Sequence, residues 1–453
     1  MADQHIGASS WRTDAQEGLT MGSANATNAT RTVDYLLIGG GLASATAAEE
    51  IRKRDAQGSI LIVSGEAHLP YHRPPLSKEY LRGEIGPDGM YGNGGVYVQL
   101  PPWYPEQRVE VLQGVTAQSL DTAAKTARLS DGRTIGYGKA LIATGGRARQ
   151  LSIPGVNLPG VTVLRTLDDA TAIREAIATP GKNVLVVGSG FIGLEGAANA
   201  LFKDARVTIV DPVPRAWPTM LTPDLSEYLQ AQYTKREANV YYGHAPTELL
   251  AGPDGRLAQA RIAPANDPAQ QPFTVPCELA IIGVGIQLNT EVASAAGLTV
   301  DPRHGVVVDR RLRASAPDVF AAGDIAAYPD PVVGRLHFEH WDNAIESAKT
   351  AAANMTGGDE AYRHVPYFFS DQFDLALNML GYPSGDAQVV IRGDQANDRF
   401  TALYGEHGVL RAALMINDDS QMDLLRDLIQ AGARLPHDPQ QLADPAFDLA
   451  SLK

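Results

Sequence analysis

The chain has 453 residues, of which 44% are hydrophobic and 20% charged, and a formal net charge of −14. That length calls for two or three domains. The acidic balance argues against nucleic-acid binding through phosphates and against anionic membranes. Cys277 is the single cysteine, which excludes an intramolecular disulfide, a CxxC redox pair and a Cys-rich metal site. Cys277 precedes an apolar run and is expected to be a core thiol. No HExxH-like pattern occurs, and no metal is expected. No run approaches the length of a membrane span. Residues 1–30 are polar and lack the apolar region of a secretory signal. They are expected to form a disordered extension to a cytoplasmic protein.

The first element in chain order is VDYLLIGGGLASATAAEEI, from Val33 to Ile51. An apolar strand pattern ends at glycines and passes into an Ala-rich helix. Gly39 permits the tight turn, Gly41 lets the backbone approach a pyrophosphate, and Ser44 takes the small-residue position for helix–strand packing. The helix N-terminus adds free N–H groups and a positive dipole end. The strand SILIVSGE follows, and Glu66 at its end is the candidate carboxylate for a ribose hydroxyl pair. Gly65 stands where an acid is common, so this acid is displaced by one.

LPYHRPPLSKEYL, from Leu69 to Leu81, comes next. Its tandem prolines stiffen a strap that presents Arg73 and Lys78 at defined places. This segment closely resembles the RPPLSK element of FAD-dependent ferredoxin reductases and of apoptosis-inducing factor. The resemblance implies that Arg73 and Lys78 lie beside a flavin. ALIATGGRA resembles the family's ATG motif and implies that Ala143, Thr144 and Gly145 contact FAD. DVFAAGDIA resembles its second FAD contact, with Gly323 allowing close approach and Asp324 meeting a ribityl hydroxyl.

A second fingerprint, NVLVVGSGFIGLEGAANAL, runs from Asn183 to Leu201 and completes GxGxxG with Gly188, Gly190 and Gly193. Two such motifs in strand–turn–helix context point to two dinucleotides and electron transfer between them. The strand ARVTIVDP ends at Asp211, about twenty residues beyond the glycines, where a carboxylate favours NAD over NADP. Arg215 could bind a 2′-phosphate instead. Its spacing from Asp211 resembles the family's Glu-x-x-Pro-Arg, which implies NADH rather than NADPH. Glu195 alone is a helix N-terminal acid favoured by the dipole. The resemblance implies that it pairs with Lys78 near flavin N5 and that Phe191 gates the nicotinamide.

The stretch from Ile281 resembles the family's strand and glycine turn at Gly285. HFEHWDNAIESAKTAAANMTG resembles its flavin-side helix, which implies that Glu339, His340 and Trp341 face the flavin and nicotinamide. For Trp341, core packing is the alternative. From residue 361 the pattern becomes alternating strands and one helix, similar to the C-terminal α/β domain of ferredoxin reductases. The family's Trp-Ser-Asp-Gln stands here as Phe369-Ser370-Asp371-Gln372.

The expected architecture is α/β, glutathione-reductase-like, with two Rossmann-like dinucleotide domains. Residues 31–149 and 287–360 form the FAD domain, 150–286 an inserted NAD domain and 361–453 the C-terminal domain. The implied reaction passes hydride from NADH to FAD and single electrons to a ferredoxin or rubredoxin feeding an oxygenase. A homodimer is compatible with this. The alternatives are a reductase of a quinone or monodehydroascorbate and an apoptosis-inducing-factor-like redox sensor. Arg303, Arg310, Arg311 and Arg313 form a basic cluster that suggests either a docking patch or a solvated loop.

Overall fold

The computed structural model describes residues 31–266 and 270–453. The expected extension, residues 1–30, lies outside the described residues. The rest forms the α/β architecture expected, with two sheets of Rossmann type, a five-stranded antiparallel sheet near the C-terminus and three smaller sheets.

The first sheet is built on Arg31–Ile38, whose last four residues are all buried. Burial on both faces is what a central parallel strand requires. Across the sheet the order is Val109–Leu112, Ile60–Val63, Arg31–Ile38, Thr134–Ile142, Thr126–Leu129 and Ala117–Asp121. Val319–Ala321 adds in parallel beside Thr134–Ile142, so the chain returns to this sheet after a long excursion. Gly39 ends the first strand at φ +125°, where a Cβ would overlap the carbonyl oxygen of Ala143. The helix Leu42–Arg54 follows and packs against Trp341–Met355. Both helices present buried alanines there, among them Ala47, Ala48, Ala348 and Ala352, so their backbones can come close.

The second sheet is wholly parallel, in the order Asn239–Tyr242, Arg206–Asp211, Asn183–Val187, Leu279–Ile282, Val161–Val163. Gly188 turns the chain at φ +98° into the helix Phe191–Phe202. A Cβ on Gly193 would overlap the carbonyl oxygen of Gly188, so a glycine there lets the helix lie on its own turn. Three antiparallel strands, His244–Ala251, Leu257–Pro264 and Phe273–Pro276, form a small separate sheet. Cys277, after the last of them, is buried, and its thiol donates to the carbonyl of Leu279 at 3.3 Å. Burial pushes this thiol up to about 12, so it is the core thiol expected. Gly146–Ala148 pairs with Ile286–Leu288 where the chain enters and leaves this region.

The C-terminal sheet runs Tyr367–Gln372, Leu375–Gly381, Val409–Ile416, Arg399–Glu406, Gln388–Asp394. Phe373 turns its first hairpin at φ +58°. The helix Met422–Ala431 covers the sheet with Leu425, Leu428 and Ile429. Among the described residues no helix is long and apolar enough to cross a membrane.

Candidate functional site

Both glycine turns open onto one cavity of about 820 Å³. Gly39 and Gly41 of the first turn line it together with Gly190 and Phe191 of the second and with Arg73, Ser77 and Lys78 of the strap. Among the described residues, a Cβ on Gly41 or on Gly190 would meet no atom beyond its own chain neighbours within 4 Å. Their missing side chains therefore serve no packing purpose within the protein. They leave two cradles where a phosphate group can approach the backbone, which is what a bound dinucleotide needs.

The first cradle is walled by a chain of charges. The carboxylate of Glu66 pairs with Arg73 at 2.6 Å and accepts from the Tyr71 hydroxyl. Arg73 also donates to the carbonyl of Arg165, and Arg165 pairs with Asp324 at 3.0 Å. Burial alone would raise the Glu66 carboxyl, but Arg73, Tyr71 and Arg165 outweigh it and hold it below the usual range. Glu66 and Asp324 thus line the cavity, each held in place by an arginine. Ala143, Thr144, Gly145, Gly285 and Gly323 supply backbone to the same wall. Ser44 does not reach the cavity. It is fully buried, and its hydroxyl has no hydrogen-bond partner among the described residues.

The lining also holds an ion pair joined across 117 positions of sequence. Lys78 Nζ donates to Glu195 Oε2 at 2.7 Å, and the two side chains are only 4% and 2% exposed. Lys78 ends a 3₁₀ turn started by the tandem prolines, and Glu195 projects from the first turns of the helix Phe191–Phe202. The Ser77 hydroxyl also donates to Oε2, and Ser370 donates to Oε1 at 2.7 Å. The Lys78 ammonium stands 5.2 Å from the ring centre of Phe369. A buried pair of this kind is costly unless its remaining acceptor sites are filled; here hydroxyls fill them.

An aromatic wall adjoins the pair. Phe191 meets Trp217, Phe368 and His340 with ring centres 4.4, 4.7 and 5.3 Å away. His340 stacks on Phe368 at 16°. Burial pushes its imidazole down to about 4, against the opposing pull of Asp324 and Asp342. Trp341 donates its indole N–H to His72 Nδ1 at 2.7 Å, and His72 is likewise pushed down to about 4 by burial. Trp341 is therefore a hydrogen-bonded cavity wall and more than core packing. Glu339 lies at the exposed rim, 3.2 Å from His337.

The second turn is arranged differently. Asp211 Oδ2 accepts from the Ser189 hydroxyl at 2.8 Å and from the Ser189 N–H, closing the carboxylate over the glycine loop. Gly188, Gly193 and Asp211 stand behind the cavity lining and shape the turn. Arg215 is turned away. Its guanidinium donates to the carbonyls of Pro218 and Leu221 at 3.2 and 3.3 Å, beside Gly385 of the C-terminal sheet region. It is not poised to take a 2′-phosphate. The expected basic cluster is also partly neutralised, because Arg311 and Arg313 both pair with Asp359.

Sequence reasoning brought Lys78 and Glu195 together only through a family resemblance. It missed Tyr71, Arg165, Phe368 and Trp217 altogether, and gave Ser370 no role. Ser370 was legible as part of the Phe-Ser-Asp-Gln stretch, but nothing local announces its partner.

One cavity lined by two glycine cradles and a buried lysine–glutamate pair defines a two-dinucleotide oxidoreductase. The chain belongs to the pyridine nucleotide-disulphide oxidoreductase family, which it matches over residues 33–352, and residues 367–453 match the reductase C-terminal domain. It is 33% identical to the probable ferredoxin reductase CtmF of Castellaniella defragrans, over 92% of this chain and 98% of that one. It is 34% identical to the anthranilate 1,2-dioxygenase system ferredoxin–NAD(+) reductase component of Burkholderia cepacia, with the same coverage of both chains. Its fold matches the ferredoxin reductase for the CYP199A2 system from Rhodopseudomonas palustris with a TM-score of 0.84 at 33% identity, covering 93% of this chain and 99% of that one.

Proposed function

We propose that the protein is an FAD-dependent NADH reductase of a [2Fe–2S] ferredoxin or a rubredoxin, feeding an oxygenase in the cytoplasm. Residues 31–149 and 287–360 hold the FAD, 150–286 the NADH, and 361–453 close the site. The observation that carries this reading is the Lys78–Glu195 pair, buried in the cavity that both cradles line. When bound, FAD supplies acceptance of hydride from NADH and release of electrons one at a time.

The chain's own part is positioning. Gly39 and Gly41 bring backbone N–H groups to the pyrophosphate of FAD, and Glu66, Arg73, Arg165 and Asp324 fix its sugar and phosphate groups. Lys78 presents a positive charge at the cavity wall, where it stabilises negative charge that develops during transfer. Glu195 holds that ammonium in one place. Phe191 and His340 give the nicotinamide an apolar, water-poor wall, which favours a near-attack arrangement. His340 stays neutral near pH 7, so it does not oppose a cationic nicotinamide. Asp211 accepts from the adenosine hydroxyls and repels a 2′-phosphate, so NADH is preferred to NADPH.

Steady-state NADH oxidation against ferredoxins, rubredoxins and quinones tests this function. Rapid turnover with an iron–sulfur carrier is the expected result. Rapid turnover with quinones alone would replace the carrier by a small acceptor. Slow turnover with every acceptor and a long-lived NADH-reduced complex would favour a redox sensor.

A further inference from the structure

Glu195 is held by more than its lysine. The strand Tyr367–Gln372 alternates in burial, with Phe368, Ser370 and Gln372 turned inward. Ser370 Oγ donates to Glu195 Oε1 at 2.7 Å, and Gln372 Nε2 donates to Ser370 Oγ at 3.0 Å. The Tyr233 hydroxyl donates to Gln372 Oε1 at 2.7 Å and is also within reach of the Leu194 carbonyl at 2.9 Å. Ser370, Gln372 and Tyr233 are each no more than 1% exposed. On the near side, Asn199 Nδ2 donates to the carbonyls of Ser77 and Glu195 at 2.6 and 2.9 Å.

The directions of these bonds matter. A serine hydroxyl can rotate and either donate or accept. Donation from the Gln372 amide occupies the Ser370 oxygen and turns its hydrogen toward Glu195. Every link from Tyr233 to the carboxylate can therefore point the same way, an arrangement in which each bond polarises the next. The neighbouring Phe369 faces the Lys78 ammonium from the same strand. Two consecutive residues of the C-terminal sheet thus touch the two members of the ion pair, one each.

We infer that Ser370, oriented by Gln372, is a positioning residue for hydride transfer. It fixes the rotation of the Glu195 carboxylate and, through it, the place of the Lys78 ammonium at the cavity wall. The C-terminal sheet then completes the reaction site as well as covering it. This inference rests on the reading that Lys78 and Glu195 act on the bound flavin. Loss of the Ser370 hydroxyl leaves Glu195 Oε1 buried without a partner, and a hydrogen bond to a charged group is among the stronger ones.

The test uses the full-length holoenzyme. Reduction by NADH is followed at increasing NADH, together with flavin content, the visible spectrum of the bound flavin and the unfolding midpoint. Ser370→Ala should lower the limiting reduction rate about tenfold at unchanged NADH affinity and flavin content. It should also shift the flavin absorption band, because the charge beside the ring is no longer fixed. Ser370→Thr, which keeps the hydroxyl, should restore both. In a Glu195→Gln background, Ser370→Ala should add nothing. Should the threonine variant fail to fold, Gln372→Leu removes the amide that orients the hydroxyl and should slow reduction in the same direction. A Ser370→Ala enzyme with wild-type rate and spectrum, or one whose defect adds fully to that of Glu195→Gln, overturns the inference. If Glu195→Gln alone changes neither rate nor spectrum, the underlying reading of the ion pair fails instead.

Discussion

The two glycine turns share a motif but not a setting. At the first, two ion pairs, Glu66–Arg73 and Arg165–Asp324, line the cavity and are linked by a hydrogen bond from Arg73 to the Arg165 carbonyl. At the second, the carboxylate of Asp211 is folded back on Ser189, and Arg215 is spent on loop carbonyls. A pre-built charged wall suits a cofactor that stays. A site closed by its own hydrogen bonds, which a ligand must exchange for new ones, suits a nucleotide that arrives and leaves. Under the proposed function the same fingerprint serves a resident FAD at the first turn and a diffusing NADH at the second, and the surrounding side chains decide which.

The largest effect should separate glycines needed by the protein from glycines needed by the ligand. Gly39→Ala adds a Cβ against the Ala143 carbonyl at a left-handed φ, so both folding and flavin binding should fail. Gly41→Ala meets only open space in the protein. Its apoprotein should unfold at the wild-type midpoint in a thermal scan, yet retain little FAD after gel filtration. Gly190→Ala should keep its flavin and lose NADH affinity. Equal loss of FAD in the Gly41 and Gly190 variants would erase the distinction between the turns.

Next in size is the pair that joins them. Lys78→Ala or Glu195→Gln should slow flavin reduction in stopped flow by about a hundredfold, with the double variant scarcely slower than either single one. The stability cost should also be marked, about 3–5 kcal/mol for Lys78→Ala, because a buried carboxylate loses its counter-charge. Additive rate effects would make Glu195 a helix-end acid and nothing more.

At the second turn, Asp211→Ala should narrow the NADH-over-NADPH preference in kcat/KM by one to two orders of magnitude, about 1–3 kcal/mol. An unchanged preference would mean that discrimination resides elsewhere. An increased one would show that Asp211 favours the phosphate.

How legible was this site? The strand–turn–helix pattern made both cradles visible, because a turn of that kind is local and its glycines are dictated by backbone geometry. The strap was visible for the same reason, since tandem prolines announce a stiff segment. Lys78 and Glu195 could be paired only by family resemblance, since no local rule links residues 117 positions apart. Arg165 gave no sign in sequence because its partners, Asp324 and Gly146, come from distant segments. The aromatic wall was half hidden, since only Phe191 and His340 were expected there, and those through family resemblance. Trp217 and Phe368 look like ordinary core residues, and only the meeting of distant segments brings them to Phe191 and His340. Arg215 went the other way. Its place near Asp211 left a 2′-phosphate contact open, but its guanidinium donates to the carbonyls of Pro218 and Leu221.

The smallest effect concerns the wall between the turns. His340 and His72 are pushed from 6.5 down to about 4, so the unfolded chain binds more protons than the native one between those values. Their contribution to stability is complete above about 6.5 and lost as pH falls toward 4. Unfolding midpoints of the apoprotein should drop over that window, and His340→Phe should drop less. A His340→Phe variant as acid-sensitive as wild type would remove this histidine from the account.

The most direct test of the central claim is an anaerobic titration of the purified protein. The account predicts a yellow protein with one tightly held FAD per chain that survives dialysis, while added NADH does not. NADH should bleach the flavin, and an oxidised [2Fe–2S] ferredoxin or a rubredoxin should restore its colour. A folded protein that holds no FAD, or a flavin that NADH does not bleach, would contradict it.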